Sequence, residues 1–279
     1  MLFGPADILE YAERFFLVPD GQHKGERFRL ADVPWFPKPL IKIADDRVRI
    51  CTIYKATGGG GTTIGEIGCG YRALCRPENI MWNTHIDNKV DEAATRLLSD
   101  QFDNVSLLTC RYRNNRYDRD RVAARRFGFP PCRTQVQAAN KSNSQSTRAG
   151  TLFNDELWKY LSGIYEEMCQ RTTGDFPFSK VVNLTTAAQD PPHDAALAFR
   201  EGDRDDYHFR CPSCSELVLP LVGRESRRRY GGEHVMQWDP AGTLEHQAST
   251  VFFKCPFCHT EIKHTPKNRR RLVDGSEYV

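Results

Sequence analysis

The chain has 279 residues, enough for one large domain and a small one, while a formal net charge of +3 with 27% charged residues gives no global case for nucleic-acid binding. The N-terminus, Met1-Leu-Phe-Gly-Pro-Ala-Asp-Ile-Leu-Glu10, carries acids in its apolar stretch and no basic start, against a secretory signal, and no apolar run approaches membrane-spanning length. Ten cysteines without an export signal, four of them in two CxxC pairs, favour a reducing cytoplasm and a metal site over a disulfide framework.

Residues 5 to 17 read as an amphipathic helix and 48 to 54 as a buried strand. A helix follows at 62 to 74, then a short strand at Asn79-Ile-Met-Trp82. Asp87 to Phe102 reads as another helix that Asp87 caps, with Val90, Ala93, Ala94, Leu97 and Leu98 on one apolar face. Most of the polar stretch from Cys110 to Gly150 reads as loop. A strand at 151 to 154, a helix from 158 to about 171 and a strand at Lys180-Val-Val-Asn-Leu184 complete an α/β alternation that implies a largely parallel sheet flanked by helices. Composition shifts near residue 205, giving expected domains at 1–205 and 206–279.

Gly58, Gly59, Gly60 and Gly61 separate the 48–54 strand from the helix opening at Thr62-Thr63, the layout of a phosphate-binding loop. Glycines let successive amides turn inward, and a helix N-terminus adds partial positive charge. Against the pattern G-x-x-x-x-G-K-[ST], Lys55-Ala-Thr-Gly-Gly-Gly-Gly-Thr-Thr63 has glycine in the lysine position, and its one lysine, Lys55, stands at the entrance. A plain flexible turn is the competing reading. In Thr151-Leu-Phe-Asn-Asp-Glu156 a short apolar strand ends in two adjacent carboxylates, as a P-loop ATPase needs. Asp155 would serve Mg²⁺ and Glu156 would orient and deprotonate the attacking water, since phosphoryl transfer is catalysed mainly by positioning and charge neutralisation. The alternative is a pair of acids favouring a helix start. Loop, dyad and Thr185-Thr186 together would lie at the sheet edge where open α/β folds bind ligands.

Cys211-Pro-Ser-Cys214 and Cys255-Pro-Phe-Cys258 form two knuckles, and four sulfurs suit tetrahedral Zn²⁺. Four unrelated thiols are the competing reading, whereas redox catalysis would use one such motif at a βα junction. His208, His259 and His264 lie nearby, and a complete cysteine set needs none of them. Arginine clusters at 111–126, with Tyr112 and Tyr117, at Arg227 to Arg229 and at Arg269 to Arg271 suit either DNA phosphates or a solvated surface. Arg171 reads as a sensor, a finger toward a neighbour's nucleotide or a surface residue.

Taken in order, Asp45-Asp-Arg-Val-Arg-Ile50, Lys55 to Thr63, Gly70-Tyr-Arg-Ala-Leu-Cys-Arg-Pro77, Asn79 to Trp82, Asp155-Glu156, Asn183-Leu-Thr-Thr-Ala187 and Gly202 to Cys214 resemble the large terminase subunit of tailed bacteriophages, lambda-like branch, over roughly residues 30 to 279. That resemblance implies an ATPase that drives double-stranded DNA into a procapsid. It also implies a small terminase subunit and a portal protein as partners, a homo-oligomeric ring and the cytoplasm of a bacterial host. Lys55 and Gly58 to Gly61 would hold the phosphates of ATP, with Thr63 beside them and the Thr62 hydroxyl on the metal side. Asn183 to Ala187 would couple hydrolysis to movement. The family's C-terminal nuclease is not expected from a sequence that ends at Val279, which reads as a fragment, a split gene product or a decayed prophage copy. A non-catalytic zinc-ribbon module that binds nucleic acid or protein, and an inert remnant of a disrupted prophage gene, are the alternatives.

Overall fold

A computed structural model describes residues 7–21, 23–56, 58–76, 78–97, 125–129, 132–145, 148–175, 179–186, 194–220, 224–231 and 235–279. The chain divides into two compact units, Met1–Arg204 and Asp205–Val279.

The first unit is built on a six-stranded sheet. Its strands are β1 (Ile50–Lys55), β2 (Ile80–Thr84), β3 (Arg126–Phe129), β4 (Cys132–Ala138), β5 (Thr151–Asp155) and β6 (Lys180–Thr186), in the order β1-β6-β5-β2-β4-β3. Five strands run parallel, and β3 adds an antiparallel edge. The central strands are buried on both faces, which is why Ile80-Met-Trp82 and Thr151-Leu-Phe153 read as continuous apolar runs rather than alternating ones.

Helix α1 (Ile8–Phe15) is capped by the Asp7 carboxylate, which accepts from the Glu10 amide at 2.8 Å. Helix α2 (Pro37–Ala44) opens on a proline whose missing N–H costs nothing in the first turn. Both pack with α3 (Gly61–Cys75) on one face of the sheet, with Tyr11, Phe16, Leu40, Ile43, Ile64, Ile67, Trp82 and Phe153 in the core. Helix α3 approaches the sheet closely because Gly65 has no side chain: a Cβ there would sit 2.4 Å from Leu184 Cδ1 and 2.9 Å from a Trp82 ring carbon. The opposite face is covered by Leu157, Tyr160, Ile164 and Met168, from a 3₁₀ turn (Leu157–Lys159) and the segment that follows it.

Three expectations change. The stretch read as loop contains β3 and β4. Strand β4 carries buried Thr134 and Gln137, so it lacks the apolar signature of a core strand. Its amides are satisfied sideways, with Gln137 Nε2 donating to Asn83 Oδ1 at 3.1 Å. The helix expected from 158 is three pieces: the 3₁₀ turn, α5 (Ile164–Cys169, counting α4 at Val90–Thr95) and a further 3₁₀ segment (Gln170–Asp175). The break falls at Gly163, whose φ of +83° is left-handed. Asp87 opens a 3₁₀ turn, Asp87–Lys89, instead of capping the helix, and the reading beyond Leu97 lies outside the described residues. Helix α6 (Asp194–Arg200) closes the unit, with the Phe199 ring tilted against Tyr54 of β1 at 5.1 Å between ring centres.

The second unit holds two three-stranded sheets. One is β12-β7-β8 (Glu277–Tyr278, Tyr207–Arg210, Leu217–Val218), and the other is β11-β10-β9 (Glu261–Lys263, Phe252–Lys254, Met236–Gln237). Short helices α7 (Arg224–Tyr230), α8 (Leu244–Thr250) and α9 (Pro266–Val273) connect them. The core is small: Val218, Val235, Phe253, Ile262 and Leu272, with Cys211 and Cys255. Among the described residues, no helix is long and apolar enough to cross a membrane.

Candidate functional site

Parallel pairing brings three chain segments to one edge of the sheet. Lys55 ends β1 opposite Thr186, and Asp155 ends β5 opposite Leu184 of β6. From Lys55 the chain turns through the glycines into α3, with Gly58 and Gly60 at φ of +76° and +75°. Gly59 N–H donates to Ala56 O at 2.9 Å, and Ile64 N–H to Gly60 O at 3.0 Å starts the helix. The amides of Gly61, Thr62 and Thr63 are thus the first of α3, without acceptors inside the helix and at its positive end. The loop is also packed from below. A Cβ on Gly60 would stand 2.6 Å from Phe36 Cζ, and Trp35 Nε1 donates to Gly59 O at 3.3 Å.

The Lys55 side chain folds back over the loop. Its stem passes over Gly61, where an added Cβ would meet Lys55 Cδ at 2.1 Å and Cε at 2.4 Å. The space of a side chain at position 61 is taken by the aliphatic part of Lys55, whose Nζ donates to Glu156 Oε1 at 3.3 Å. At 12% and 24% exposure the two charges are shielded from bulk solvent, and their attraction is screened less than that of a surface pair.

On the same side, the Thr62 hydroxyl lies 3.5 Å from Asp155 Oδ1. Burial, and then the neighbouring Glu156 charge, push the Asp155 carboxyl up to about 6. Glu156 goes the other way: burial opposes it, but the Trp158 indole N–H, Lys55 and Lys159 together leave its pKa below the ordinary value. Trp158 Nε1 donates to Glu156 Oε2 at 2.6 Å, and Lys159 Nζ stands 3.5 Å from the same oxygen. Glu156 has a left-handed backbone, φ 54° and ψ 45°, a conformation that costs a non-glycine residue on the order of 1 kcal/mol or more and that recurs at functional sites.

One residue inside this edge, a row of buried side chains crosses five strands in register. Gln137 donates to Asn83, Asn83 to Asn154 at 2.9 Å, Asn154 to Asn183 at 2.9 Å, and Asn183 to the Thr52 hydroxyl at 3.1 Å and to Tyr165 at 2.9 Å. Each amide has partners, so the row fixes strand register without leaving polar groups unsatisfied.

The glycine loop, Lys55, Thr62, Asp155 and Glu156 therefore converge, and Thr185 and Thr186 lie at the same edge. Arg171 does not join them; its guanidinium donates to Asn143 O at 3.1 Å. The arginines at 111 to 124 fall outside the described residues. Sequence reasoning missed Trp158 and Lys159, because it placed them inside a helix. It also missed Arg96, which bonds Glu66 at 2.9 Å and whose charge reaches Asp155.

The four knuckle cysteines also converge. Their sulfurs all lie within 4.8 Å of one another, with Cys211–Cys258 and Cys214–Cys255 at 3.7 Å. Four sulfurs at about 2.3 Å from one tetrahedral zinc would be about 3.8 Å apart, so the donor set fits that ion and is far from disulfide contact. The two knuckles fold alike. Ser215 N–H bonds Cys211 O at 2.8 Å, His259 N–H bonds Cys255 O at 3.0 Å, and Ser215 and His259 are both left-handed at φ 65° and 59°. His208 turns away, its Nδ1 3.0 Å from Asp206 O.

The sequence model of the family described as phage terminase large subunit gpA, ATPase domain, matches residues 22–276. The fold is similar to the crystal structure of the HK97 bacteriophage large terminase, with a TM-score of 0.51 and 11% identity, over 96% of this chain and 50% of that one. The chain thus spans half the length of that protein. No curated protein sequence matches.

Proposed function

The chain belongs to the family of phage terminase large subunit gpA ATPase domains, and from that premise we propose that it hydrolyses ATP at the β1–α3 loop to move double-stranded DNA into a procapsid. The observation that carries this reading is the convergence of Lys55 and Glu156 at 3.3 Å with Thr62 and Asp155 at 3.5 Å, beside the first amides of α3.

In this reading the amides of Gly61 to Thr63 and the Lys55 ammonium bind the ATP phosphates, the lysine arriving from the strand rather than the helix. Thr62 and Asp155 would hold Mg²⁺: a half-buried carboxylate that resists ionising alone, beside a hydroxyl, is a donor pair that a hard cation stabilises. When bound, magnesium supplies charge neutralisation on the phosphate oxygens. Glu156 orients the attacking water and accepts its proton at a carboxylate oxygen; its depressed pKa keeps it ionised at neutral pH. Its pairing with Lys55 means that phosphate and carboxylate compete for one ammonium, so substrate binding frees the base as it engages the lysine.

In the second unit, Cys211, Cys214, Cys255 and Cys258 would hold zinc as a structural ion that ties two small sheets together. A small terminase subunit, a portal and a ring of copies are the partners this reading entails, with the arginines of α7 and α9 as candidate DNA contacts. The decisive experiment is ATP turnover by the purified chain with and without duplex DNA, beside Lys55→Ala and Glu156→Gln. The expected result is DNA-stimulated hydrolysis that both variants lose, with labelled ATP still bound by Glu156→Gln. Hydrolysis unchanged in Glu156→Gln would remove its assignment as the base.

A further inference from the structure

The geometry points to Trp158 as the positioning residue for Glu156: its indole N–H fixes one carboxylate oxygen while its own backbone amide is anchored to Thr185 at the end of β6. The inference rests on the ATPase reading above and adds a residue that the motif pattern does not contain.

Glu156 sits where a carboxylate would otherwise be free to rotate. It follows the last residue of β5, its backbone is left-handed, and nothing of a regular helix holds it. Its two oxygens are divided. Oε1 takes Lys55 Nζ at 3.3 Å, and Oε2 takes Trp158 Nε1 at 2.6 Å, the shorter contact. A neutral donor at that distance to an ionised acceptor is a charge-assisted bond, and it comes from a planar side chain with only two rotatable bonds. The ring is pinned as well. Lys159 Nζ lies 4.9 Å from its centre, and the Trp158 amide donates to Thr185 Oγ1 at 3.2 Å.

The chain of contacts is therefore Thr185, Trp158, Glu156. Thr185 is fully buried, so its hydroxyl is a fixed point. It also belongs to the Asn183 to Ala187 segment, so a shift at the end of β6 moves the turn that aims the base. The groups facing Glu156 are Lys55 from β1, Asp155 from β5, Lys159 from the turn and His85 beyond β2. Of these, the Lys55 and Lys159 ammonium groups attract the carboxylate.

The test uses the full chain with ¹⁵N-labelled tryptophan. Four tryptophans give four indole signals, and Trp158→Phe identifies the one that disappears. That signal should move upfield in Glu156→Gln, because the ionised acceptor is gone. In turnover, Trp158→Phe should lower kcat by about tenfold to a hundredfold with KM little changed, the cost of a base misplaced by on the order of 1 Å. Thr185→Val should repeat the kcat loss, while Thr185→Ser, which keeps the acceptor, should not. An indole signal indifferent to Glu156→Gln overturns the contact. Full kcat in Trp158→Phe, with an active wild type, overturns the role alone, and a wild type that does not hydrolyse ATP overturns the role together with the ATPase reading.

Discussion

Gly61→Ala separates the loop's chemistry from its folding. An added Cβ would stand 2.1 Å from Lys55 Cδ and 2.4 Å from Cε, whereas carbons in contact rest at about 3.5–4.0 Å. The lysine stem must therefore swing aside by on the order of 1.5 Å, and the ammonium beyond it leaves its place 3.3 Å from Glu156. A displacement of about 1 Å in a positioning group costs on the order of a hundredfold in rate. Stability should move the other way, because alanine is favoured over glycine in a helix by up to about 1 kcal/mol and the group that yields is the flexible end of a long side chain. Gly61→Ala should thus turn over ATP about a hundredfold more slowly, with an unfolding free energy equal to or slightly above wild type. Steady-state turnover and denaturant melts of the same preparation give both numbers. Full turnover would refute the placement of Lys55, and a loss of more than about 2 kcal/mol would show that the stem cannot yield. Moving the lysine into its usual place, Lys55→Ala with Gly61→Lys, should recover part of the activity that Lys55→Ala loses.

Gly60→Ala should behave oppositely to Gly61→Ala, losing about 1–3 kcal/mol in a denaturant melt, because position 60 is left-handed and its Cβ would strike the buried Phe36 ring at 2.6 Å. Asp155→Asn should abolish turnover yet stabilise the metal-free chain at pH 7 by on the order of 2 kcal/mol. The wild-type carboxyl, raised to about 6 by burial, contributes full stability only below the ordinary carboxylate range and loses it as pH rises toward 6, so the variant's advantage should vanish in melts below about pH 4. Chelation of zinc, or Cys255→Ser, should leave Met1–Arg204 resistant to protease while Asp205–Val279 is cut, since a unit of about 75 residues with so small a core cannot replace on the order of 10 kcal/mol of metal binding. Equal protection of the C-terminal unit with and without metal would count against the zinc assignment.

The legible parts of the fold were those whose side chains follow from burial. Ile80-Met-Trp82, Thr151 to Asn154 and Lys180 to Leu184 lie inside a parallel sheet and read as strands because both of their faces are covered. Strand β4 was not legible, since its interior positions mix Val136 and Ala138 with Thr134 and Gln137, and the fitness of Gln137 for the interior depends on Asn83 and Asn154 from other strands. Lys55, Thr62, Asp155 and Glu156 could be named from motif order, but not the reason for the departure at position 61. That reason is steric, and it appears only when the stem of Lys55 is seen crossing Gly61. Trp158 escaped notice because a helix from 158 would have turned it elsewhere, and Gly163 ends that possibility.

Moving the lysine from α3 to β1 changes what the site responds to. A lysine on the helix would travel with the phosphate-binding amides, whereas Lys55 is anchored to a strand paired in register with β6 through Tyr54–Thr185 and Lys55–Thr186. The base side is tied to the same strand, since Thr185 holds the Trp158 amide and Trp158 holds Glu156. In the proposed mechanism both the phosphate contact and the base thus refer to the end of β6, and the row Thr52, Asn183, Asn154, Asn83 locks β6 to its neighbours two residues before Thr185. On that reading, a small displacement of β6's last two residues would shift lysine and glutamate together while the helix amides stay in place, which would be the mechanical condition for linking hydrolysis to movement through that strand.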